Sequence, residues 1–268
     1  MANITSAGTG NSNDGATWTG GSVPTSSDNA IIQNGHTVTQ NAAHTFKSLR
    51  VETGGTWTAD GSNHLTLSGE NDSDFALQIV DGTYNHANGT VVINNGGGGI
   101  AHAAIQAGVG NSTTGLYDLT ISGGGTTCEI YGTTTIHRNM EAGGATTVLR
   151  GDLTVNGNLT IYGALTTIFS STSHNLTVNG TTTIGLGSGV ADVSTLTCNA
   201  STISLGSGRQ QADYAVNIEI GGTFTGGTGT HTVGSLFMAQ SANAKATMTN
   251  GVTTVNGTNT SANKAWRV

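Results

Sequence analysis

The sequence predicts an all-β protein built as a solenoid of short parallel strands. An internal repeat carries this prediction: LTVNGNLTI at Leu153 returns as LTVNGTTTI at Leu176 and, less closely, as LTCNASTI at Leu196. The copies start 23 and then 20 residues apart, and each reads as two short strands separated by a turn. A period of about 20 residues made of strands alone is typical of a solenoid with one coil per repeat.

Composition and the lack of helix signals agree with the repeat. Charged residues make up 9% of the chain, against about 25% in an ordinary globular domain. The 42 glycines and the many Asn residues suit tight corners, whereas Val, Ile and Thr suit strands. Regular apolar alternation and a single proline argue against disorder. A weak helical pattern is confined to residues 100 to 107.

The repeat register predicts one solenoid with a different segment at each end. Residues 1–35 are expected to form an N-terminal cap or attachment segment, residues 36–257 the parallel solenoid, and residues 258–268 a C-terminal tail or subunit contact. Alternate apolar positions of consecutive coils should face one continuous core. These positions are Leu49, Val51, Leu65, Leu67, Leu119, Ile121, Ile136, Leu153, Val155, Leu159, Ile161, Leu176, Val178, Ile184, Leu196 and Ile203.

Three bulky or rigid residues mark the ends. Trp18 and Pro24 precede the first alternating strand, and Trp266 lies close to the last residue. Because a solenoid must cover the open ends of its core, we interpret all three as structural caps, with a ligand-stacking platform as the alternative at Trp18. Asp28 is expected to hold a turn before the first strand.

Charge and hydropathy exclude several partners. The net charge is −7 without a basic patch, which argues against nucleic acid and anionic membrane surfaces. No apolar run approaches the ~20 residues of a membrane span. The first residues have neither a basic nor an apolar segment of a signal peptide, so we expect synthesis in a cytoplasm without signal-directed export.

Candidate chemistry is concentrated in one acidic stretch. Asp72 and Asp74, with Asp81 following, could ligate calcium, and paired carboxylates can also serve glycoside hydrolysis. The stretch matches neither an EF-hand loop nor a calcium-binding nonapeptide repeat, and a solvated loop is the simpler interpretation. We therefore expect no cofactor and no catalytic activity.

Other reactive side chains give weaker signals. The histidines lack the spacing of a metal site, although His137, Arg138 and Glu141 bring a base, a cation and an acid into a short stretch. Cys128 and Cys198 belong to different repeats, and we expect two small buried apolar residues rather than a disulfide or metal site.

The opening of the chain resembles a known group of proteins. The stretch WTGGSVPTSSDNAIIQNGHTVT from Trp18, followed by Ser48–Val51 and GGTW ending at Trp57, looks like the start of the glycine-rich β-solenoid proteins of tailed bacteriophages, a scaffold shared with bacterial surface adhesins. The similarity covers about the first sixty residues and extends to the repeated LTVNG segments. It implies a right-handed, single-stranded parallel β-helix and a surface role, but no particular chemistry.

The resemblance leads to one leading function and two alternatives. We expect a non-enzymatic structural protein of a phage virion, in a tail fibre, spike or head decoration, made in the host cytoplasm and extracellular after release. Other virion proteins, a homotrimer and host surface glycans are the implied partners. A polysaccharide depolymerase is the first alternative, since two carboxylates on adjacent coils could face a groove. A bacterial adhesin or an ice-binding protein with Thr rows is the second.

Overall fold

A computed structural model of the chain describes most of its residues in two compact units. The units are Met1–His137 and Arg138–Val268. The described residues are 2–69, 75–94, 102–106, 115–123, 127–144, 146–163, 166–185, 193–207, 215–238, 243–248, 251–256 and 266–267, of which 102–106, 166–168 and 266–267 are described by their backbone alone.

The first unit is a stack of short parallel strands preceded by two 3-10 helical turns, Gly15–Thr17 and Thr19–Gly21. Strands β1 to β14, whose bounds follow, form three sheets, ordered β1-β3-β6-β9-β12-β14, β2-β4-β7-β10 and β5-β8-β11-β13. The strands are β1 Asn3–Thr5, β2 Gly10–Asn11, β3 Asn29–Ile32, β4 Thr37–Thr39, β5 His44–Phe46, β6 Ser48–Val51, β7 Thr56–Thr58, β8 Leu65–Leu67, β9 Leu77–Ile79, β10 Thr83–Asn85, β11 Thr90–Asn94, β12 His102–Gln106, β13 Asp118–Ser122, β14 Thr127–Tyr131 and β15 Thr134–Ile136.

The second unit repeats three strands per coil. Its sheets are ordered β17-β20-β23-β26-β29, β16-β19-β22-β25-β28-β31 and β18-β21-β24-β27-β30. The strands are β16 Met140–Gly143, β17 Thr146–Arg150, β18 Leu153–Val155, β19 Leu159–Tyr162, β20 Thr166–Ser170, β21 Leu176–Val178, β22 Thr182–Ile184, β23 Val193–Thr197, β24 Ile203–Leu205, β25 Val216–Ile218, β26 Gly222–Thr225, β27 Thr230–Val233, β28 Leu236–Met238, β29 Lys245–Thr247, β30 Val252–Val255 and β31 Trp266–Arg267.

Both units are parallel β-solenoids, so the predicted fold class is confirmed. Each strand pairs in parallel with its counterpart one coil away. In the second unit, for example, Leu153 lies opposite Leu176, which lies opposite Ile203. Because side chains alternate between the faces of a strand, this register places like residues above one another inside the coil. All sixteen residues predicted to face inward are buried, with an exposed fraction of 1% or less.

The outward positions of the same strands carry small polar side chains. One outward residue from each of the strands β18, β21, β24, β27 and β30 lies in register with the others, and we call these five residues the hydroxyl row. Its members are Thr154, Thr177, Ser204, Thr232 and Thr254. A strand with one buried and one solvated face alternates in this way, and β-branched Thr suits the pleat.

Side chains at the corners of the second unit connect one coil to the next. The Asn139 side chain accepts a hydrogen bond from the Asn158 backbone N–H at 3.0 Å, and the Asn158 side chain does the same for Thr181 at 2.9 Å. At another corner, Asp152 accepts from the backbone N–H of Asn175 at 2.9 Å. These bonds satisfy backbone donors that would otherwise lack a partner where the strands end. We call the series Asn139, Asn158 and Thr181, and the pair Asp152 and Asn175, the corner ladders.

Parallel stacking begins before residue 36. Strands β1 and β3 belong to the same sheet as β6, with Asn3 opposite Asn29 and Asn29 opposite Ser48. Strand β2 also pairs in parallel with β4, so residues 1–35 contain three strands of the stack, together with the two 3-10 turns between β2 and β3. At the other end, β31 pairs with β28, and residues 258–265 lie outside the described part of the chain.

The residues interpreted as caps are placed as follows. Trp18 is 1% exposed, and its indole N–H donates to the Ser12 carbonyl oxygen at 2.9 Å. Its ring meets the Phe46 ring edge to face, with 6.2 Å between centroids. Pro24 is also buried, whereas the Trp266 side chain lies outside the described part. Burial fits a role in covering the core, and the assignment of all three as caps stays a prediction.

Asp28 holds the turn before β3. Its carboxylate accepts from the Thr25 hydroxyl at 2.6 Å, from the Thr25 backbone N–H at 3.1 Å and from the Ala2 backbone N–H at 3.1 Å. Hydrogen bonds from Thr25 lower the pKa of the Asp28 carboxyl below its usual value. The expected turn is therefore present.

The weak helical pattern at residues 100–107 indicated a helix, and this prediction is wrong for the described part of that segment. Residues His102–Gln106 form β12, which pairs in parallel with β9 and β14. The pairing with strands on both sides supplies hydrogen bonds that outweigh a marginal helix propensity in a segment bounded by glycines.

Replacing Ile161 by Asp should cost several kcal/mol of unfolding free energy. Ile161 is fully buried between Ala142 and Ile184 in neighbouring coils, so a carboxylate there would lose its hydration without gaining a partner. Urea denaturation followed by circular dichroism measures the change. Ile161→Val should cost only about 0.5–1.5 kcal/mol. Thr177→Asp, on the outward hydroxyl row, is the matched control and should stay within about 0.5 kcal/mol. Equal losses in Thr177→Asp and Ile161→Asp would contradict the inward assignment.

Gly180→Ala should also destabilise the second unit. A Cβ atom at Gly180 would clash with the Gly157 carbonyl oxygen and the Asn158 side chain of the neighbouring coil. Relieving that overlap should cost about 1–3 kcal/mol. Gly8→Ala is the control, because nothing lies within 4 Å of the Cβ position there. A thermal melt of Gly180→Ala that matches that of Gly8→Ala would refute the close coil spacing at this corner.

Candidate functional site

A polar cavity of about 260 Å³ lies on the outer face of the first unit. We call it the outer groove. It crosses the sheet formed by β1, β3, β6 and β9, and its lining consists of Asn3, Asn29, Ile31, Ser48, Arg50, Phe75 and Gln78. Most of these are outward-facing residues of successive strands, because the inward positions between them fill the core.

One row of the groove is joined by hydrogen bonds from coil to coil. Asn3, Asn29 and Ser48 lie opposite one another on β1, β3 and β6. The Asn29 amide donates to the Asn3 side-chain oxygen at 2.9 Å, and the Ser48 hydroxyl donates to the Asn29 side-chain oxygen at 2.8 Å. These bonds fix the orientation of the two amide groups along the row.

A second row contains the cation of the groove. Ile31 lies opposite Arg50, and Arg50 lies opposite Gln78. The Arg50 guanidinium pairs with the Glu52 carboxylate, at 2.9 Å between Nε and Oε1 and 3.5 Å between a terminal nitrogen and Oε2. This two-point contact balances the positive charge and holds the guanidinium plane. With the Arg50 side chain 46% exposed, the ion pair adds little to stability.

Phe75 forms an aromatic wall of the groove. Its ring meets that of Tyr131 edge to face, with 5.5 Å between centroids and an angle of 78°. The Tyr131 hydroxyl donates to the Glu129 carboxylate at 2.6 Å. Edge-to-face contacts are favourable because the positive ring edge meets the negative face, so Tyr131 helps to orient Phe75.

Comparison with known proteins gives no relative to which these residues could be compared. No family model, no curated protein and no solved structure matches the chain. In the described part, no helix is long and apolar enough to cross a membrane.

The predicted calcium ligands are not brought into a described site. Asp72 and Asp74 lie outside the described residues. Asp81 is exposed and adopts a positive φ of 51° in the turn between β9 and β10. Within the part of the chain that the structure describes, no three His, Cys, Asp or Glu side chains lie close enough to hold a metal ion.

The His137, Arg138 and Glu141 cluster has neighbours that the sequence did not predict. The His137 ring lies 4.8 Å from that of His86, which stacks on Tyr117 at 5.3 Å. In the second unit, the Tyr162 hydroxyl donates to Glu141 at 3.4 Å. Burial lowers the pKa of His86, and the nearby His137 adds to this effect.

His86 is oriented by its own turn. Its Nδ1 accepts a hydrogen bond from the Asn88 backbone N–H at 3.1 Å, so the neutral ring carries its proton on Nε2. A metal ion could bind Nδ1 only by displacing this bond, or Nε2 only by displacing its proton. The ring cluster of His86, Tyr117 and His137 is therefore better suited to packing than to ligation.

Both cysteines behave as the sequence predicted. Cys128 and Cys198 are free thiols, each at most 1% exposed. Burial raises the pKa of each thiol to about 12, so neither ionises near neutral pH. They are small buried apolar residues.

None of the groove residues was predicted as a site from the sequence. Asn3, Asn29 and Ser48 are separated by 26 and 19 residues, and no motif joins them. The signal in the sequence was the presence of polar residues at outward positions of several strands. These residues can be recognised as one site only when the register between the strands is known.

Acidification from about pH 7.5 to about pH 5 should lower the unfolding free energy. Burial lowers the pKa of His44 and His231, which are 8% and 1% exposed, and the pKa of His86 is lowered too. Because these folded-state pKa values lie below the unfolded value of about 6.5, the unfolded chain binds more protons as the pH falls. The stabilisation is full above about pH 6.5 and is lost as the pH falls through the folded-state values. Urea titrations across this range measure it.

His44 allows this prediction to be tested at a single site. Its Nε2 lies 2.6 Å from the Ser12 hydroxyl, and its ring stacks on Phe46 at 5.0 Å. His44→Gln should reduce the pH dependence, whereas His64→Gln, at an exposed position, should leave it unchanged. A stability that is constant or rises on acidification would contradict the role of buried histidines.

Proposed function

We propose that the protein is a non-enzymatic structural protein of a tailed-phage virion that contacts host surface glycans. Its place there is a tail fibre, a spike or a head decoration. The observation that carries the proposal is the stack of parallel coils whose aliphatic side chains fill the inside and whose outward rows are Thr, Ser and Asn. Such a scaffold supplies extended surfaces for contact with other molecules.

The resemblance of the opening segment supports the same role. The stretch from Trp18 that resembles phage β-solenoid proteins contributes Trp18 and Ala30 to the buried core, together with the carboxylate turn at Asp28. The segment is therefore built into the stack rather than appended to it. Fold and resemblance favour a surface role without fixing the ligand.

A symmetric assembly, with a trimer as the expected form, is part of the proposal. Strands β29 and β30 are the last members of their sheets. Met248, which directly follows β29, is 40% exposed, and Val252, the first residue of β30, is 64% exposed. Exposed apolar side chains beside terminal strands favour contact with another chain. Other virion proteins are the remaining proposed partners.

The proposal predicts that the chain travels with phage particles. Peptides of this chain should be recovered by mass spectrometry from density-gradient-purified particles made by cells that carry the gene, at a constant ratio to the major capsid protein. Gold-labelled antibodies should mark one fixed place on the particle in electron micrographs. Particles from cells in which the gene is deleted provide the control for antibody specificity.

Two outcomes would contradict the proposal. Recovery of the chain only from the envelope of cells without particles would favour an adhesin. Turnover of capsular or cell-wall polysaccharides by the purified protein, lost in Asp72→Asn, Asp74→Asn or Glu141→Gln, would favour a depolymerase. The same assay with Thr177→Ala controls for non-specific effects of substitution.

A further inference from the structure

In the outer groove, polar side chains from several strands converge on a cavity of appreciable volume. By contrast, a cavity in the second unit has about 10 Å³ and is lined mostly by apolar residues such as Val216 and Phe224. Ligand sites are usually concave, with a few placed polar groups and volumes of about 300–1,000 Å³ for drug-sized molecules. At about 260 Å³, the outer groove has room for a single small ring.

The polar rows retain donors and acceptors after their internal bonds are made. The Asn29 amide uses one hydrogen in its bond to Asn3, and an amide nitrogen carries two. The Ser48 oxygen still has lone pairs, and the Arg50 guanidinium has more N–H groups than its contact with Glu52 uses. The cavity therefore offers both donors and acceptors at fixed positions.

The charge of the groove favours a neutral ligand. Among the described residues that line the groove, Arg50 is the only charged one, and its charge is balanced by the Glu52 carboxylate at 2.9 Å. A carboxylate or phosphate ligand would have to compete with Glu52 for the guanidinium. A molecule with many hydroxyl groups can instead donate to and accept from the amides and Ser48 without breaking the ion pair.

The walls add an apolar surface next to the polar rows. Phe75 is held by Tyr131, and Ile31 is half-buried on the outer face of β3. A pyranose ring has hydroxyls around its rim and C–H groups on its faces, so it matches a site with polar rows beside an aromatic wall. Aromatic side chains supply such contact area at a small entropic cost.

From this combination we infer that the outer groove binds a neutral hexose unit of a surface glycan. The amide row of Asn3, Asn29 and Ser48 receives the hydroxyl groups, Arg50 donates to a ring or hydroxyl oxygen, and Phe75 packs against a C–H face. The inference deepens the proposed function, on which its glycan context rests, by naming the site and the class of ligand.

Saturation-transfer difference NMR tests the inference. The full chain is mixed with a panel of neutral methyl hexosides and neutral bacterial oligosaccharides, with sialic acid as the anionic comparator. At least one neutral saccharide should bind. Arg50→Ala and Phe75→Ala should each weaken its binding at least about tenfold, because each removes a group that touches the ligand.

Matched variants separate ligand contacts from general effects. Arg150→Ala replaces an exposed arginine and Phe237→Ala a half-buried phenylalanine, both in the second unit, and both should leave binding unchanged. Circular dichroism melts establish that every variant is folded before its binding is compared.

Three outcomes would overturn the inference: no neutral saccharide binds, sialic acid alone binds, or the second-unit variants weaken binding as much as the groove variants. Each is distinguishable from a failure of the proposed function. Recovery of the chain in particles without saccharide binding would reject the groove alone, whereas binding by a chain absent from particles would reject the virion role alone.

Discussion

Every feature of the fold depends on one constraint, the parallel pairing of each strand with its counterpart in the neighbouring coil at a constant register. Pairing of Leu153 with Leu176 and Ile203 fixes which side chains lie above one another. Most inward apolar residues are therefore followed by another apolar residue in the next coil, because an unpaired polar group in a dry core is costly. Thr182, opposite Leu159, and His231, opposite Ile203, are buried exceptions. Outward residues are not constrained by core packing, so the side chains of the groove and of the hydroxyl row can contact other molecules.

The corners impose a second constraint, which glycine and asparagine meet. The backbone of one coil approaches the next so closely at Gly157 and Gly180 that a Cβ atom would overlap a carbonyl oxygen. Beside these glycines, the side chains of Asn139 and Asn158 accept backbone N–H groups from the following coil. In the Asn-Gly pairs that mark the repeat, the glycine therefore permits close approach, while the Asn179 side chain donates to that of Asn156 at 3.0 Å. The backbone donors are satisfied by asparagines outside these pairs.

Much of the fold could be predicted from the sequence, and less of the candidate site. The alternation in LTV segments determines which side chains are buried, so residues such as Val155 and Val178 were placed correctly. The strand at His102–Gln106 was missed because its pairing with β9 and β14 overrides a weak local signal. The groove escaped prediction for a related reason: Asn3, Asn29 and Ser48 meet only through register, which distant segments determine together.

Through the corner ladders, coils of different length attach to the next coil by the same kind of hydrogen bond. Asn139 lies 19 residues before the backbone donor that it binds, and Asn158 lies 23 residues before its own. The two donor–acceptor distances nevertheless differ by only 0.1 Å. Extra residues can thus be accommodated elsewhere in a coil while its anchoring point is preserved. An insertion or deletion between two anchoring points would therefore change the exterior of a coil while leaving its corner contact and its buried positions in place.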